Sequence, residues 1–396
     1  MAGSQKNTTA EEWFMPLTSQ EKDSWNGFCE IENEPAIFNA MLEDFGVKGV
    51  KVQEVVSLDE EMLAFLPRPI YGLIFLFRWR EDDQCKQEQS CPESLWFANQ
   101  TVENACATVA LLNIINNIKG IEMGEQLKSF RKFTQDFSPA MRGYTIGNFE
   151  FVKQVHNSFA RKMDILNTDL LLKNQQGRKA KGNQEPDKSE AGFHFIAFVK
   201  AKGRVWKFDG LERQPQSLGE CVEGDWLGLA TKEIQTRMAD YEEEEIEFSI
   251  LSLSKDPMTV YLADLASNVK ALQHINSRLS ELGENCDEAD QENATLDGPD
   301  AQYGLTLDIL ELALVPSELA EATENGSKAH DLNSLARQRQ ALVEQQRLLR
   351  TQIKDEQRSR QMELDYARSR RHDYNAAVHC WTRLLARKRK FEELII

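Results

Sequence analysis

The sequence predicts an α/β (α+β) protein in which a sheet is flanked by helices and followed by a helical C-terminal extension. Three observations carry this. Residues 71–79, YGLIFLFRW, form a dense apolar run of strand length, too short to cross a membrane. Residues 193–200 and 204–208 are β-rich runs joined around Lys202 and Gly203, the pattern of a hairpin. From His330 toward Arg371 the chain is highly charged, with Leu335, Leu342 and Leu349 at intervals of seven, followed by Ile353.

The elements follow in order. The first twelve residues read as a flexible leader, and the first thirty contain Glu11, Glu12, Glu21 and Lys22 without a long apolar run, so no signal peptide is expected. Residues 25–45 place Phe28, Ile31, Phe38, Leu42 and Phe45 among acids, an extended piece leading to a helix opened near Glu34 and Pro35. Gly46 and Gly49 punctuate its exit, and Val50, Val52, Val55 and Val56 predict a strand, with a short helix over 58–65. Residues 81–92 are polar and hold Cys85 and Cys91, read as surface thiols rather than metal ligands because no histidine lies nearby. After residues 95–120, helices are expected over 124–137 and 148–159, with Gly143 to Gly147 marking a turn. Residues 167–192 mix glycine, proline and alternating charge, which predicts a mobile loop within a domain. An acid run at 242–245 leads into a last strand ending near Leu253.

Residues 1–254 are therefore expected to form one domain and 255–396 a helical extension. In the extension, residues 257–282 carry Tyr261, Leu265, Val269, Leu272, Ile275, Leu279 and Leu282 along one side of a helix. Residues 283–304 are acidic and polar and are expected to be disordered or weakly ordered. A short helix is expected within 305–318, and the heptad leucines offer a seam either to the 257–282 helix or to another chain.

The 396 residues suffice for more than one domain, and 41% hydrophobic content suits a globular fold. No run approaches a membrane span, and seven cysteines without framework spacing point to a reducing compartment. The net charge of −17 divides unevenly: residues 331–396 hold fifteen basic and nine acidic side chains, leaving −23 for the rest. Such an acidic body repels nucleic acid and suits a basic protein or peptide. The basic cluster from Arg387 to Lys390 is compatible with a nuclear address, a contact to an acidic partner or a soluble helix end.

Chemistry concentrates on residues 95–120, LWFANQTVENACATVALLNIINNIKG. Thr101, Glu103 and Asn104 suit a helix start, while Val109, Leu112, Ile115 and Ile118 mark its buried face. With Asn104 as cap, Cys106 falls in the first turn, where free N–H groups and the helix dipole favour a thiolate. From this window alone a core cysteine is the ordinary role, and a nucleophile requires a base, an orienting acid and an oxyanion donor. The hairpin supplies two of them. A three-residue connection pairs Lys200 with Arg204 and, continued, Phe195 with Asp209, leaving Asp209 a diagonal neighbour of His194. Hydrogen-bonded to Asp209, His194 has a fixed tautomer and serves as base to Cys106. Gln100, six residues before Cys106, can aim its amide toward the sulfur and join the Cys106 N–H in an oxyanion hole. Ordinary roles for the two are core packing for His194 and loop bonding for Gln100.

These residues resemble the ubiquitin carboxyl-terminal hydrolases, a family of cysteine peptidases. Phe97-Ala98-Asn99-Gln100 and Glu103-Asn104-Ala105-Cys106-Ala107-Thr108 are similar to the glutamine and nucleophile segment, Gly192-Phe193-His194-Phe195-Ile196 to the histidine strand, and Phe208-Asp209-Gly210-Leu211 to the aspartate turn. Phe28-Cys29-Glu30-Ile31-Glu32 with Pro35 and Phe38 resembles the opening motif. The resemblance implies a papain-like fold with a central antiparallel sheet. It implies that Cys106 attacks, His194 is base then acid, Asp209 orients His194, and Gln100 donates to the oxyanion. No cofactor or metal is implied. Residues 167–192 take the place of the loop that crosses over the active site. Asn99 stands where a basic residue is common and Val109 where glutamine is common, departures that remove no catalytic group. Arg370-Arg371-His372-Asp373-Tyr374, followed by Leu384 and Leu385, resembles the helical extension by which longer members dock on a scaffold, at the proteasome or on chromatin complexes. The proteasome branch is favoured because no long basic tail follows Lys390. The expected partners are thus ubiquitin, its conjugates and such a scaffold, with residence in cytoplasm and nucleus. A peptidase for another ubiquitin-like modifier and a non-catalytic ubiquitin-binding subunit are the alternatives.

Overall fold

The computed structural model describes residues 25–79, 87–160, 164–165, 192–221, 226–239, 248–282, 295–314, 328–372 and 375–387. Cys85 and residues 167–191, where the crossover loop is expected, lie outside them. The described residues fall in two compact units, Met1–Ser254 with Glu363–Ile396, and Lys255–Met362. The extension read as 255–396 is thereby divided, because its last part groups with the first unit.

The first unit is built on a six-stranded sheet in the order β1-β6-β2-β3-β4-β5: β1 (Val50–Glu54), β2 (Ile70–Arg78), β3 (Phe193–Ala201), β4 (Arg204–Phe208), β5 (Gln216–Glu220) and β6 (Ser249–Lys255). The pairs β2–β3, β2–β6, β3–β4 and β4–β5 are antiparallel. β2 and β3 are buried along nearly their whole length, which is why their sequences read as apolar runs rather than alternating ones. Along β3, Phe195, Ala197, Val199 and Ala201 join one hydrophobic cluster, and Ile196 and Phe198 join a second one. Helix α3 (Cys106–Ile115) belongs to the first cluster and packs on β2 and β3, and α7 (Leu227–Ala239) belongs to the second.

Among the described residues, the other helices of this unit before α7 are α1 (Pro35–Asp44), α2 (Glu60–Ala64), α4 (Glu125–Phe133), α5 (Pro139–Gly147) and α6 (Glu150–Asn157). The turn expected at Gly143 to Gly147 is instead the end of α5, opened by Pro139 and by Ser138 accepting from the Met141 N–H. Gly143 serves close packing: a Cβ there would overlap the Asn99 carbonyl oxygen. Cys91 is half-buried rather than a surface thiol, and burial pushes its pKa up against the lowering effect of Arg142.

The hairpin turn differs from expectation by one residue. Ala201 pairs with Arg204, leaving Lys202 (φ 54°) and Gly203 (φ 75°) as a two-residue loop with both residues left-handed, the geometry that matches strand twist. Ala197 pairs with Phe208, so Ile196 rather than Phe195 stands across from the Asp209 position. Because side chains alternate, Ile196 and His194 share a face, and Asp209 shares it too.

Residues Glu363 to Arg371, the end of the long helix α10 (Lys328–Arg371), also belong to the first unit. Ala367 joins the first cluster. Glu363 lies 3.2 Å from the buried Lys51 and accepts from Asn39 at 3.0 Å. Arg370 meets Glu32 at 2.9 Å, and Arg371 pairs with Asp44 and lies over the Phe159 ring. α11 (Asn375–Arg387) follows and exposes Val378, Trp381 and Leu384 at helical spacing. The basic cluster beyond Arg387 lies outside the described residues.

In the second unit, α8 (Pro257–Glu281) is capped by Asp256, whose side chain accepts from the Met258 N–H. Its Leu265, Ala266 and Val269 share a cluster with Tyr303, Leu305, Leu310, Leu349 and Ile353. The lower part of the leucine seam, Leu349 and Ile353, thus packs within the chain. Residues 295–304, inside the stretch expected to be weakly ordered, are held in place: Asp300 bridges to Leu305, Tyr303 is buried and accepts from Arg350 Nε at 2.8 Å, and the buried Gln346 bonds the Leu296 backbone. The short helix is α9 (Leu307–Leu312), and 283–294 lie outside the described residues.

Candidate active site

Cys106 is the first residue of α3, with Ala105 rather than Asn104 as the cap. Asn104 instead takes a left-handed conformation, φ 60°, which turns the chain sharply into the helix. The nine residues that follow Cys106 in α3 are all buried, so the helix is a rigid mount for its first residue.

An extended segment leading to Gln100 runs beside α3 without a strand partner, and side chains satisfy its backbone. Asn113 accepts from the Ala98 N–H at 2.8 Å and donates to its carbonyl at 3.2 Å. Asn117 treats Trp96 the same way, at 3.1 and 2.6 Å. Arg142, buried beside the Trp96 ring, donates to the carbonyls of Leu95, Phe97, Thr134 and Gln135. Gln100 then donates its backbone N–H to the Gly210 carbonyl at 2.8 Å, and Asn99 donates its amide to the Glu212 carbonyl. The residue expected as oxyanion donor is therefore tied to the turn that carries Asp209. Its Oε1 is buried and has no hydrogen-bond partner among the described residues.

His194 is the second residue of β3, and Asp209 follows β4. His194 Nε2 donates to Asp209 Oδ1 at 2.7 Å, an oxygen that also accepts from the Leu211 N–H at 2.9 Å. The Phe77 ring stands edge-on to the imidazole. Burial works against charging this ring, but the hydrogen bond and charge of Asp209, with the nearby Cys106 sulfur, outweigh it, and the pKa rises to about 9. Asp209 is also opposed by burial, yet its bond and attraction to His194, the Leu211 N–H and the charge of Lys207 hold it below the usual carboxylate range. The structure thus brings Cys106, His194 and Asp209 together, with Nδ1 as the ring nitrogen that Asp209 leaves open. Such an arrangement can move a proton between a sulfur and an imidazole whose tautomer is fixed.

Sequence comparison matches residues 28–239 to the family described as ubiquitin carboxyl-terminal hydrolase, family 1. The chain belongs to that family. Ubiquitin carboxyl-terminal hydrolase isozyme L5 of Dictyostelium discoideum is 37% identical over 256 residues, which cover 65% of this chain and 70% of the relative. Ubiquitin carboxyl-terminal hydrolase BAP1 of Xenopus tropicalis is 34% identical over 60% of this chain, and the match spans only 35% of that protein. A crystal structure of the Trichinella spiralis UCH37 catalytic domain bound to ubiquitin vinyl methyl ester is 33% identical, covers 58% of this chain and 96% of its own, and gives a TM-score of 0.48. The family match excludes residues beyond 239, so the hydrolase core it defines ends inside the first unit.

Among the described residues, no group of three or more His, Cys, Asp or Glu side chains could hold a metal, and no helix is long and apolar enough to cross a membrane. Sequence reasoning missed Asn113, Asn117, Arg142, Thr108 and His156. Asn113 inside an otherwise largely apolar helix and Asn117 just past its end were the one legible sign, since buried amides must find partners.

Proposed function

We propose that this family member is a deubiquitinating thiol hydrolase that cleaves the bond after the C-terminal glycine of ubiquitin. The observation that carries the reading is Cys106 at the start of a buried helix, near enough to raise the pKa of an imidazole that Asp209 holds by a 2.7 Å hydrogen bond. The Cys106 sulfur, its proton passed to His194, attacks the glycine carbonyl carbon. The Gln100 amide and the Cys106 N–H receive the oxyanion. His194 then protonates the departing amine as the C–N bond breaks, leaving a thioester. Water, deprotonated by His194, attacks that thioester, and ubiquitin leaves with a free carboxylate as the sulfur is regenerated. Ubiquitin's basic tail suits the acidic body of the chain.

Reaction of the purified chain with a ubiquitin C-terminal electrophile, followed by identification of the modified residue, tests this. Labelling at Cys106, abolished in Cys106→Ala with ubiquitin binding retained, is the expected result. Labelling at another cysteine, or a preference of about tenfold for a different modifier, overturns it.

The C-terminal helices are proposed to dock on a scaffold, the proteasome in particular, with the protein in cytoplasm and nucleus. The exposed Val378, Trp381 and Leu384 on one side of α11 support such a role. Capture of the chain by purified proteasome, lost in Trp381→Ala with Leu384→Ala, is the expected result; equal capture of both forms removes α11 from the interface.

A further inference from the structure

Helix α6 buries an imidazole that no step above uses. His156 is fully enclosed, and both ring nitrogens are engaged: Nε2 lies 2.8 Å from the Cys29 carbonyl oxygen, and Nδ1 lies 2.7 Å from Thr108 Oγ1. A carbonyl only accepts, so Nε2 carries the proton. Burial keeps the ring neutral, pushing its pKa down to about 4 against the Cys29 bond. Nδ1 is therefore an acceptor, and the Thr108 hydroxyl donates to it. A helical threonine usually turns its hydroxyl back to a carbonyl one turn earlier, whereas this one reaches across to another helix.

The same short segment is gripped from other sides. Asn157 accepts from the Cys29 N–H at 3.1 Å and donates to the Gly27 carbonyl at 2.9 Å. Asn104 donates its amide to the Phe28 carbonyl at 3.1 Å. The Phe28 ring stands edge-on to the His156 ring, with centroids 4.8 Å apart. Cys106 thus has its neighbours two positions before and two positions after tied to residues 28 and 29, one directly and one through His156. An apolar helix face alone would leave the first turn of α3 free to shift along its groove. These directional bonds fix it, and a displacement of about 1 Å at a reacting atom costs on the order of 100-fold in rate.

We infer that the Phe28 and Cys29 backbone, with Asn104, Thr108 and His156 as its ties, is a frame that sets the Cys106 sulfur against His194. Thr108, His156 and Asn104 are positioning residues for the nucleophile and touch no substrate. The inference rests on the reading of Cys106 as nucleophile.

The test uses the full chain and a fluorogenic ubiquitin C-terminal substrate, with thermal unfolding followed alongside. Thr108→Val keeps the side-chain shape and removes the donor. It is expected to lower kcat by at least about tenfold with KM held, and Thr108→Ser is expected to recover most of the loss because it restores the hydroxyl. Asn104→Gly keeps the left-handed backbone, removes the amide tie and is expected to lower kcat in the same way, which preserves the test if Thr108→Val does not fold. A folded Thr108→Val or Asn104→Gly chain with wild-type kcat, or variants that lose stability alone, would overturn the inference. Electrophile labelling separates the two readings. If Cys106→Ala remains labelled, the nucleophile assignment fails; if it is not labelled while the tie variants turn over normally, only the frame fails.

Discussion

His194 and Asp209, fifteen residues apart, are joined by a 2.7 Å hydrogen bond between two nearly buried side chains. Replacing Asp209 by Asn keeps the size and an acceptor but removes the charge that holds the imidazolium. The expected outcome is a fall in kcat of about 100-fold or more with a nearly unchanged KM. Steady-state kinetics on fluorogenic ubiquitin check it, and a loss confined to KM would place Asp209 in binding instead.

The two buried histidines give stability opposite pH dependences. His156 has a folded pKa of about 4 against an ordinary 6.5, so between these values the unfolded chain binds the extra proton and stability falls as pH falls. The shift corresponds to on the order of 3 kcal/mol, present above pH 6.5 and lost by about pH 4. His194 is raised from 6.5 to about 9, so its contribution is complete below 6.5 and is lost as pH rises through 9. Urea unfolding across this range is expected to show a maximum near pH 6.5, with the acid limb flattened in His156→Gln. An acid limb unaffected by that substitution contradicts the assignment.

Gly143→Ala drives a methyl into the Asn99 carbonyl, one residue from Gln100. Either α5 or the Gln100 segment must move, and overpacking of this kind costs roughly 1–3 kcal/mol. A lower unfolding midpoint together with slower electrophile labelling is expected. A wild-type labelling rate would show that α5 alone yields.

Lys51 is buried, and Glu363 on α10 is its carboxylate partner at 3.2 Å. Glu363→Ala is expected to lower the urea midpoint of the hydrolase unit, because it takes a carboxylate away from the buried Lys51 ammonium. A shift smaller than about 0.5 kcal/mol would assign this pair to the weak surface class.

The elements with strong periodicity were legible: β2, the β3–β4 pair, α1, α3, α8 and the long charged helix all lie where apolar spacing and breakers put them. β5 (QSLGE) has neither alternation nor an apolar run, and its half-buried pattern leaves almost nothing to detect. Gly143 was misread because glycine as turn former and glycine as contact point are the same letter; only the Asn99 carbonyl distinguishes them. The hairpin was found but its loop was counted one residue too long, since Lys202 carries no sign that it adopts positive φ. Of the site, the chemistry of Cys106, His194, Asp209 and Gln100 made them candidates beside ordinary packing and bonding roles, and the resemblance to the hydrolase family is what gave each a part. Thr108 and His156 meet through tertiary packing across 48 residues, a relationship no local pattern encodes.

The short loop at Lys202 and Gly203 has a bearing on how this protein can vary. It sets parity between two strands, and everything downstream inherits it. One residue gained or lost inside β4 rotates the aspartate to the reverse side of the sheet and strands the imidazole, whereas a longer loop that bulges outward leaves the pairing intact. Length changes are therefore tolerable at the hairpin tip and forbidden a few ångströms below it.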